Sequence, residues 1–456
     1  MAHIDLISPI DGSVYLTREV MRPDAALAAA QTARAAQRAW AARPLEERIA
    51  LVLKANDIVG ETTDRMAVEL AHQMGRPVRY GGEYGGFSER LTHMAAIAPD
   101  ALVDDVIEDS DAFRRVIKRE PQGVVLVVAP WNYPYMTAIN TVAPALIAGN
   151  TVILKHASQT LQVGERLAEA FHAAGVPEDV FQNVVIDHAT TSELLSSGAI
   201  DFVNFTGSVG GGQAIERAAA GRFIGVSTEL GGKDPAYVRA DADLAAAIDT
   251  LMDGAVFNSG QCCCGIERIY VDRTLYDDFV AGAVAWASAQ VLGNPLEAET
   301  TLGPMAHLRF AKEVRAQVDE AVAAGATAHV ARMAADDGGT YVTPQVLTGV
   351  THEMRVMRDE TFGPVVGIMP VDNDSEAVRL MNDSRFGLTA SIWTADLDRA
   401  EALGAEVETG TVFMNRCDYL DPALCWTGCK DTGRGQGLST LAYGALTRPK
   451  SYHLRR

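Results

Sequence analysis

The hydrophobic pattern begins with a helical stretch and then changes to short apolar runs. Residues 24–74 are rich in Ala at helical spacing, with Asp24 as the expected N-cap and Pro44 as an interruption. From about residue 120 amphipathic segments, among them 160–174 and 190–197, separate the apolar runs "GVVLVVAP", "GNTVILK", "VFQNVVI" and "DFVNFTG". Buried strands that alternate with helices predict parallel βαβ units.

The same alternation resumes after "GGKDPAYV" with "ERIYVD", a helix-like segment at 275–291, "VVGIMPVD", "LTASIWT" and "GTVFMN". Two successive α/β layers predict two α/β domains, each built on a parallel sheet. The boundary is expected near 230–235, where Gly231, Gly232 and Pro235 cluster. No short-period repeat or low-complexity segment is present, which argues against a solenoid or a disordered tail.

Composition narrows the class of protein. The 456 residues are 48% hydrophobic and 21% charged, with a formal net charge of −20, as in a globular protein of two or three domains. That charge argues against nucleic-acid and anionic-membrane partners, whereas helix N-termini could still bind an anionic cofactor. No secretory signal is recognisable, and no apolar run reaches the roughly 18 to 20 residues needed to span a bilayer. A cytoplasmic protein with reduced thiols is expected.

Three adjacent cysteines stand out in "FNSGQCCCGIER", residues 257–268. Adjacent ligands reach one metal ion poorly, and a disulfide between neighbours would be strained, so we expect neither. The alternatives that stay open are three buried packing thiols, or one nucleophile with two neighbours. A nucleophile attacking a carbonyl needs a base and an oxyanion donor, for which "STELGGKDP" offers Glu229 and "APWNYP" offers Asn132.

Seven motifs occur in the order and approximate spacing of the aldehyde dehydrogenase superfamily: "PWNYP", "ILKHAS", "FTGSVGGG", "ELGGKDP", "NSGQCCC", "DETFGPV" and "NDSRFGL". The resemblance covers almost the whole chain. It implies a Rossmann-like cofactor domain, a catalytic domain and a small β extension through which subunits associate as a homodimer or homotetramer. The implied bounds are 1–102 with 122–231 for the cofactor domain, 232–430 for the catalytic domain, and 103–121 with 431–456 for the extension.

The resemblance assigns catalytic roles to three residues. Cys263 resembles the family nucleophile, Glu229 its general base, and Asn132 the oxyanion-hole amide that acts with the Cys263 backbone N–H. Neighbours in an extended loop point in opposite directions, so Cys262 and Cys264 are expected to face away from Cys263.

Further positions resemble the family's nicotinamide-cofactor site. Gly207, Ser208 and Gly212 match the helix start that faces the pyrophosphate, with Trp131 near the phosphates. Lys155 matches the residue that holds the adenosine ribose.

At the nicotinamide end, Glu360 and Phe362 match the pair that positions the ribose and ring. Many NAD-selective members carry a glutamate where this chain has Ser158, and a carboxylate there would repel a 2′-phosphate. We therefore expect NADP as well as NAD to be accepted, and a preference for NADP would fit Ser158. His156 replaces a common proline and is expected to be structural.

The substrate end departs from the family pattern. The usual "PFGG-x-K" loop is replaced by "WTGCKDTGRG", residues 426–435. An apolar or aromatic funnel is expected, lined by Cys417, Leu420, Cys425 and Trp426. An anionic chain end could meet Arg416 or Arg434, although surface ion pairs are the favoured interpretation of both. Succinate semialdehyde, other ω-carboxylate aldehydes and aromatic aldehydes all stay open.

The implied reaction oxidises an aldehyde to a carboxylate with NAD(P)+ and water, through a thiohemiacetal and then a thioester on Cys263. One alternative is a CoA-acylating dehydrogenase, although such members commonly lack the glutamate found here as Glu229. Another is a non-catalytic descendant that only binds the nucleotide.

Overall fold

A computed structural model describes residues 2–456. Its first helices are Pro23–Ala41, Leu45–Gly60 and Thr63–Met74, which confirms the helical stretch and its interruption at Pro44. The prediction that Asp24 caps the first helix is wrong. Pro23 begins the helix instead, because proline lacks the N–H that would need a cap and has a helical φ. The Asp24 carboxylate accepts two hydrogen bonds from Arg22.

The first large sheet has six strands, and five of them run parallel. It confirms the four strands expected after residue 120 and adds an antiparallel edge strand from near the C-terminus. In spatial order the strands are Gly433–Arg434, Gly225–Glu229, Phe202–Thr206, Val124–Val128, Thr151–Lys155 and Phe181–Asn183.

Both faces of this sheet are covered, as parallel sheets require. Along Val124–Val128, Val125 and Val127 pack into one hydrophobic cluster, whereas Val124, Leu126 and Val128 pack into another. The period of two between faces explains why the strand is an uninterrupted apolar run.

The second large sheet has seven strands, all parallel except one short edge strand. It contains every strand expected after "GGKDPAYV", which confirms an α/β fold with two largely parallel sheets. In spatial order the strands are Thr327–Ala328, Gln345–Thr348, Val365–Val371, Ile266–Asp272, Asp234–Val238, Thr389–Trp393 and Thr411–Met414.

Helices cover both sheets and connect their strands. The remaining α-helices are Tyr84–Ala101, Pro134–Ile147, Leu161–Ala174, His188–Ser196, Val209–Ala219, Leu244–Val256, Tyr276–Ser288, Leu308–Ala323, Arg355–Arg358, Asp374–Asn382, Leu397–Gly404 and Ser439–Ala445. Short 3-10 turns span Val78–Tyr80, Ser158–Thr160 and Phe257–Gly260. None of the helices within residues 2–456 combines the length and the apolarity that crossing a bilayer demands.

Three smaller sheets complete the fold. A three-stranded antiparallel sheet joins the two segments expected to form the extension, with strands Thr447–Arg455, Phe113–Pro121 and Asp105–Asp109. The two-stranded sheets pair His3–Ile7 with Val14–Glu19 and Phe386–Gly387 with Cys429–Lys430. The exact division into domains stays a prediction.

The six-stranded sheet has a topological switch point beside its central strand. Val124–Val128 pairs with Thr151–Lys155 on one side and with Phe202–Thr206 on the other, and the chain continues outward in both directions. Ligands of open α/β sheets bind at the carboxyl ends of the strands at such a point. Trp131, Asn132 and Gly207 follow the strands on either side of it.

Candidate active site

The cysteine loop follows a sharp backbone turn. Asn258 and Ser259 have φ values of 55° and 58°, in the left-handed region that asparagine tolerates better than most residues. Gly260 also has a positive φ, and a Cβ there would lie 2.2 Å from the Gly363 carbonyl. This turn places the three cysteines immediately before the buried strand Ile266–Asp272.

The three thiols converge instead of diverging. The sulfurs of Cys262, Cys263 and Cys264 all lie within 4.8 Å of one another, and a backbone hydrogen bond of 3.2 Å from Gly265 N to Cys262 O closes a turn. The prediction that the two flanking cysteines face away from Cys263 is therefore wrong. It assumed an extended loop, whereas side chains do not alternate in a tight turn.

Asp418 completes this cluster. Its Oδ1 lies 3.0 Å from the sulfurs of both Cys262 and Cys264, and burial raises its carboxyl pKa well above the usual range. Either flanking S–H can point at this oxygen or donate to the Cys263 sulfur. Such donation lowers the pKa of Cys263, the only half-buried thiol of the three.

Convergence also removes the spacing argument against a shared metal ion. The hydrogen bonds to Asp418 nevertheless account for the arrangement with thiols alone. Sequence reasoning missed Asp418, because an acidic residue in a C-terminal loop carries no signal that it contacts residues so distant in the chain.

Glu229 ends the strand Gly225–Glu229 at the carboxyl edge of the six-stranded sheet. Burial raises its pKa to about 7, partly opposed by a 3.3 Å hydrogen bond from Thr206 Oγ1 and by the charge of Arg90. Across residues 2–456 no hydrogen bond joins Glu229 to Cys263, so a proton passing between them needs an intervening water.

Asn132 is held through its backbone. Its carbonyl accepts hydrogen bonds from Arg76 Nη2 at 2.6 Å and from Asn258 Nδ2 at 3.1 Å. Arg76 also pairs with buried Glu83, whose other oxygen accepts two N–H groups at the start of the helix Pro134–Ile147. The network ties the start of that helix to the cysteine loop, while the Asn132 amide has no hydrogen-bond partner anywhere in the described chain.

The two glycines of "ELGGK" permit close approaches of other segments. A Cβ on Gly232 would lie 2.3 Å from the Cys263 carbonyl oxygen, and one on Gly231 would lie 2.4 Å from the Glu360 carboxylate. The Gly232 N–H also donates to Glu360 Oε1 at 3.0 Å. Backbone without side chains therefore brings the cysteine loop and the "ETFGP" loop against the end of the Glu229 strand.

A second buried ion pair holds the "ETFGP" loop. Glu267 pairs with Lys233 and accepts hydrogen bonds from the backbone N–H groups of Thr361, at 2.8 Å, and Phe362, at 2.9 Å. These bonds keep Phe362 at a φ of 49°, which is unusual for a bulky side chain. The Phe362 ring then packs edge-on against Trp131, with 5.5 Å between the ring centroids.

The expected cofactor residues lie at the carboxyl edge of the six-stranded sheet. Gly207 follows its strand, and Ser208 caps the helix Val209–Ala219 by accepting a hydrogen bond from Gly211 N at 3.3 Å. Gly212 packs against Leu230, where a Cβ would lie 2.6 Å from a methyl group. The helix start at the switch point fits a pyrophosphate.

Lys155 ends the strand Thr151–Lys155 on the other side of Val124–Val128, with its side chain largely buried and its pKa lowered by that burial. Ser158 and Trp131 line a cleft of about 170 Å³ beside Phe310. A buried ammonium and a cleft with a free hydroxyl fit the ribose and phosphate groups of a dinucleotide. His156 contacts Thr160 and the Pro134 carbonyl, and burial lowers its pKa to about 3, which is consistent with the structural role expected for it.

The residues expected to line the substrate entrance divide into two groups. Leu420 and Trp426 pack in the hydrophobic cluster that contains the three catalytic-loop cysteines, whereas Cys417 is buried in the core of the seven-stranded region. Arg434 pairs with Glu216 on the surface, and Arg416 stacks on the Tyr419 ring. Surface roles therefore account for both arginines.

Comparisons with known proteins agree with this geometry. The model of the aldehyde dehydrogenase family matches residues 1–452. The chain is 35% identical to an aldehyde dehydrogenase of Paenarthrobacter nicotinovorans, with 97% of both chains covered. It is 32% identical to a succinate-semialdehyde dehydrogenase [NADP(+)] of Deinococcus radiodurans, covering 97% of this chain and 93% of the relative.

The fold is similar to that of an NADP-dependent glyceraldehyde-3-phosphate dehydrogenase from Bacillus halodurans, solved in complex with NADP. The TM-score is 0.94 at 32% sequence identity, and 100% of this chain and 96% of the other are covered.

Proposed function

This chain belongs to the aldehyde dehydrogenase family, and we propose that Cys263, Glu229 and Asn132 carry out its reaction. The protein is an NAD(P)-dependent oxidoreductase that oxidises an aldehyde. The observation that carries the residue assignment is the half-buried Cys263 thiol on a turn that Asn258 ties to Asn132, whose amide has no partner, and the neighbouring thiols lower the pKa of Cys263.

The first step is attack of the Cys263 thiolate on the aldehyde carbon, which forms a thiohemiacetal. The negative charge that develops on the former carbonyl oxygen is met by the Asn132 side-chain N–H and the Cys263 backbone N–H. Arg76 and Asn258 hold the Asn132 carbonyl, so the amide is oriented before the substrate arrives.

The thiohemiacetal then loses a hydride and leaves a thioester on Cys263. The nicotinamide, when bound, supplies the hydride acceptor. Glu360 and Phe362 are suited to position its ribose and ring, because Glu267 fixes the loop that carries them. Trp131, packed against Phe362, limits the space on that side.

Glu229 completes the reaction by taking a proton from the water that attacks the thioester. The carbon–sulfur bond breaks, the carboxylate leaves, and the thiolate of Cys263 is restored. A base with a pKa of about 7 is half ionised near neutral pH, where general bases are most effective. Each turnover consumes one aldehyde, one NAD(P)+ and one water, and yields one carboxylate, one NAD(P)H and two protons.

The cofactor cleft supports the use of NADP+ as well as NAD+. Ser158 brings a hydroxyl in place of a carboxylate to the cleft, where Arg309 offers a positive charge for a 2′-phosphate and Asp5 lies on the same wall. The relatives named above that are NADP-dependent support the same choice.

The alternative in which CoA takes the acyl group is less well supported. Glu229 has a pKa suited to activating water, and a CoA-acylating enzyme does not need that base. The test is to measure formation of reduced nicotinamide by the purified protein with aliphatic, aromatic and carboxylated aldehydes, using NAD+ and NADP+ in parallel. Turnover without CoA supports the hydrolytic reaction, whereas strict dependence on CoA contradicts it.

Subunit association through the three-stranded sheet is part of the proposal. Val106 and Ile107, on its strand Asp105–Asp109, expose more than half of their surface, which a partner subunit would cover. We expect a homodimer or homotetramer, measurable by light scattering during gel filtration.

Six cysteines without a disulfide support a reducing, cytoplasmic location.

A further inference from the structure

Arg90 is a buried cation that the proposed mechanism does not use. It lies on the helix Tyr84–Ala101 with only 8% of its surface exposed. Its Nη1 donates to the Met136 carbonyl at 3.0 Å and reaches Asn140 Oδ1 at 3.4 Å. Its Nε is buried and has no hydrogen-bond partner. A buried guanidinium with an unmet donor is costly unless an anion occupies the site when the protein works.

The free edge of Arg90 is the edge that binds carboxylates elsewhere in this chain. Arg434 donates from Nε and Nη2 to both oxygens of Glu216 at 2.8 Å, and Arg18 makes the same side-on pair with Glu165 at 2.5 and 2.9 Å. In Arg90 the protein occupies Nη1 and leaves the buried Nε without an acceptor. The geometry is suited to a bidentate carboxylate.

Asn140 provides a second free donor beside the first. Its side chain is 2% exposed, its Oδ1 faces Arg90, and its Nδ2 has no partner. The nearby carboxylate of Glu83 binds Arg76 and two backbone N–H groups, and Glu229 acts on Arg90 without a hydrogen bond to it. Two adjacent buried donors thus lack an acceptor.

This pair of donors lies near the reacting groups. The positive charge of Arg90 opposes the rise in the pKa of Glu229, and in return Glu229, Cys263 and Cys264 act on the guanidinium. Met136, whose carbonyl anchors Arg90, and Asn140 lie four residues apart on one face of the helix Pro134–Ile147, which begins two residues after Asn132. A substrate bound to Cys263 would therefore have its far end within the neighbourhood of Arg90.

We propose that Arg90 and Asn140 bind a carboxylate at the end of the substrate remote from the aldehyde, which makes ω-oxo acids the preferred substrate class. This assignment rests on the proposed function. Since the net charge of the protein is −20, an anionic substrate needs such a local cation. The site would select by charge, whereas the apolar wall of Leu420 and Trp426 would accept the carbon chain.

The test compares kcat/KM for ω-oxo acids of graded chain length with kcat/KM for straight-chain aldehydes of equal length. The variants are Arg90→Gln, which removes the charge, Arg90→Lys, which keeps the charge but not the fork, and Asn140→Asp. Asn140→Asp is isosteric and places a carboxylate against Arg90, so it removes the site without a change of volume. The ratio of acid to neutral substrate cancels any general effect that the loss of charge has on Glu229.

The wild-type protein is expected to prefer the ω-oxo acid at one chain length. Arg90→Gln and Asn140→Asp should each lower the acid-to-neutral ratio roughly tenfold to a hundredfold, as loss of a charge-assisted hydrogen bond does. Arg90→Lys should retain part of the preference. KM for the acid should carry most of the change, whereas a merely structural role would reduce both substrates alike.

Two results would overturn the inference while leaving the proposed function intact: equal use of acid and neutral aldehydes by the wild type, or a wild-type ratio in both Arg90→Gln and Asn140→Asp. If no aldehyde supports turnover, the proposed function itself fails, and the carboxylate site is then tested by a binding measurement. Calorimetry with the ω-dicarboxylic acid product should then show binding to the wild type and its loss in Asn140→Asp; no binding to the wild type would contradict the site.

Discussion

Two sets of buried polar side chains surround the cysteine loop, and they differ in whether the protein satisfies them. The paired set, Arg76 with Glu83 and Lys233 with Glu267, forms ion pairs whose remaining donors and acceptors bind backbone groups. The open set comprises Asn132, Arg90 and Asn140, with free amide or guanidinium donors, and the partly bonded Glu229.

The paired side chains hold the site in place, whereas the open side chains can bind the substrate or a reaction intermediate. A satisfied buried network is rigid and keeps its backbone partners in place, as Arg76 does for the Asn132 carbonyl and Glu267 does for Phe362. An unsatisfied buried donor lowers stability in the free protein, but it can gain a bond when substrate or a reaction intermediate provides the acceptor. Substitutions in the open set should therefore impair activity, and substitutions in the paired set should impair folding.

The largest loss of activity is expected on substitution of Cys263, the thiol that both sets of side chains surround. Cys263→Ala should abolish aldehyde-dependent formation of reduced nicotinamide, because no other nucleophile can form the thioester. Cofactor binding, followed by fluorescence, and the melting temperature should stay close to wild type. Cys262→Ala is the matched control and should keep measurable turnover. The opposite outcome for the two variants would show that the nucleophile is Cys262.

Glu229→Gln should slow steady-state turnover by roughly a hundredfold to ten-thousandfold, because deacylation loses its base. A burst of reduced nicotinamide should persist in stopped-flow measurements, since acylation does not require the base. Wild-type activity should rise as pH increases through about 7, where Glu229 loses its proton, and that limb should vanish in the variant. A variant that kept the same limb would exclude Glu229 as its source.

Burial also links Glu229 to stability. Its pKa is raised from 4.5 to about 7 on folding, so the folded state holds the proton more tightly and the free energy of unfolding falls as pH rises through that range. Glu229→Gln should remove this fall, which melting temperatures measured across the same range would reveal.

Glu83→Gln tests the paired set. It leaves Arg76 buried without its counter-ion, and breaking such a pair typically costs about 3–5 kcal/mol of folding free energy. Denaturant unfolding should show the loss. Arg90→Gln is the matched control from the open set and should cost far less, because it removes a cation that already lacks an anion. Equal losses in both variants would remove the distinction between the two sets.

Asn132→Ala should lower kcat by roughly a hundredfold to a thousandfold through loss of one oxyanion donor, with little change in KM. Its melting temperature should change little, since only the backbone of Asn132 is bonded to the network. A large fall in stability with normal kcat would instead place Asn132 in the paired set.

Ser158→Glu should have the smallest effect on turnover and act on cofactor choice. A carboxylate facing a 2′-phosphate should lower the ratio of kcat/KM for NADP+ to that for NAD+ by about tenfold or more. Ser158→Gln, similar in size but uncharged, is the control and should shift the ratio much less. An unchanged ratio in Ser158→Glu would show that the 2′-phosphate lies away from this position.

Local pattern was sufficient for the strands and for most of the helical segments. Apolar runs such as "GVVLVVAP" can be satisfied only as strands covered on both faces. The error at Asp24 also has a local cause, because Pro23 begins the helix two residues earlier than a cap at Asp24 would allow.

The family resemblance that the order and spacing of the motifs carry also nominated Cys263, Glu229 and Asn132. The surroundings of these residues were beyond such reasoning. Asp418 reaches the thiols across 154 positions of the chain, and Arg76 reaches Asn132 across 56.

What the sequence by itself determined is therefore the set of elements and the type of chemistry, because secondary structure and motif spacing depend on neighbours in the chain. Only the tertiary structure decided that the three thiols converge on Asp418 and that Arg90 keeps a buried donor without a partner. Burial and hydrogen-bond satisfaction depend on segments brought together by packing, and no local pattern records which donors will be left without a partner.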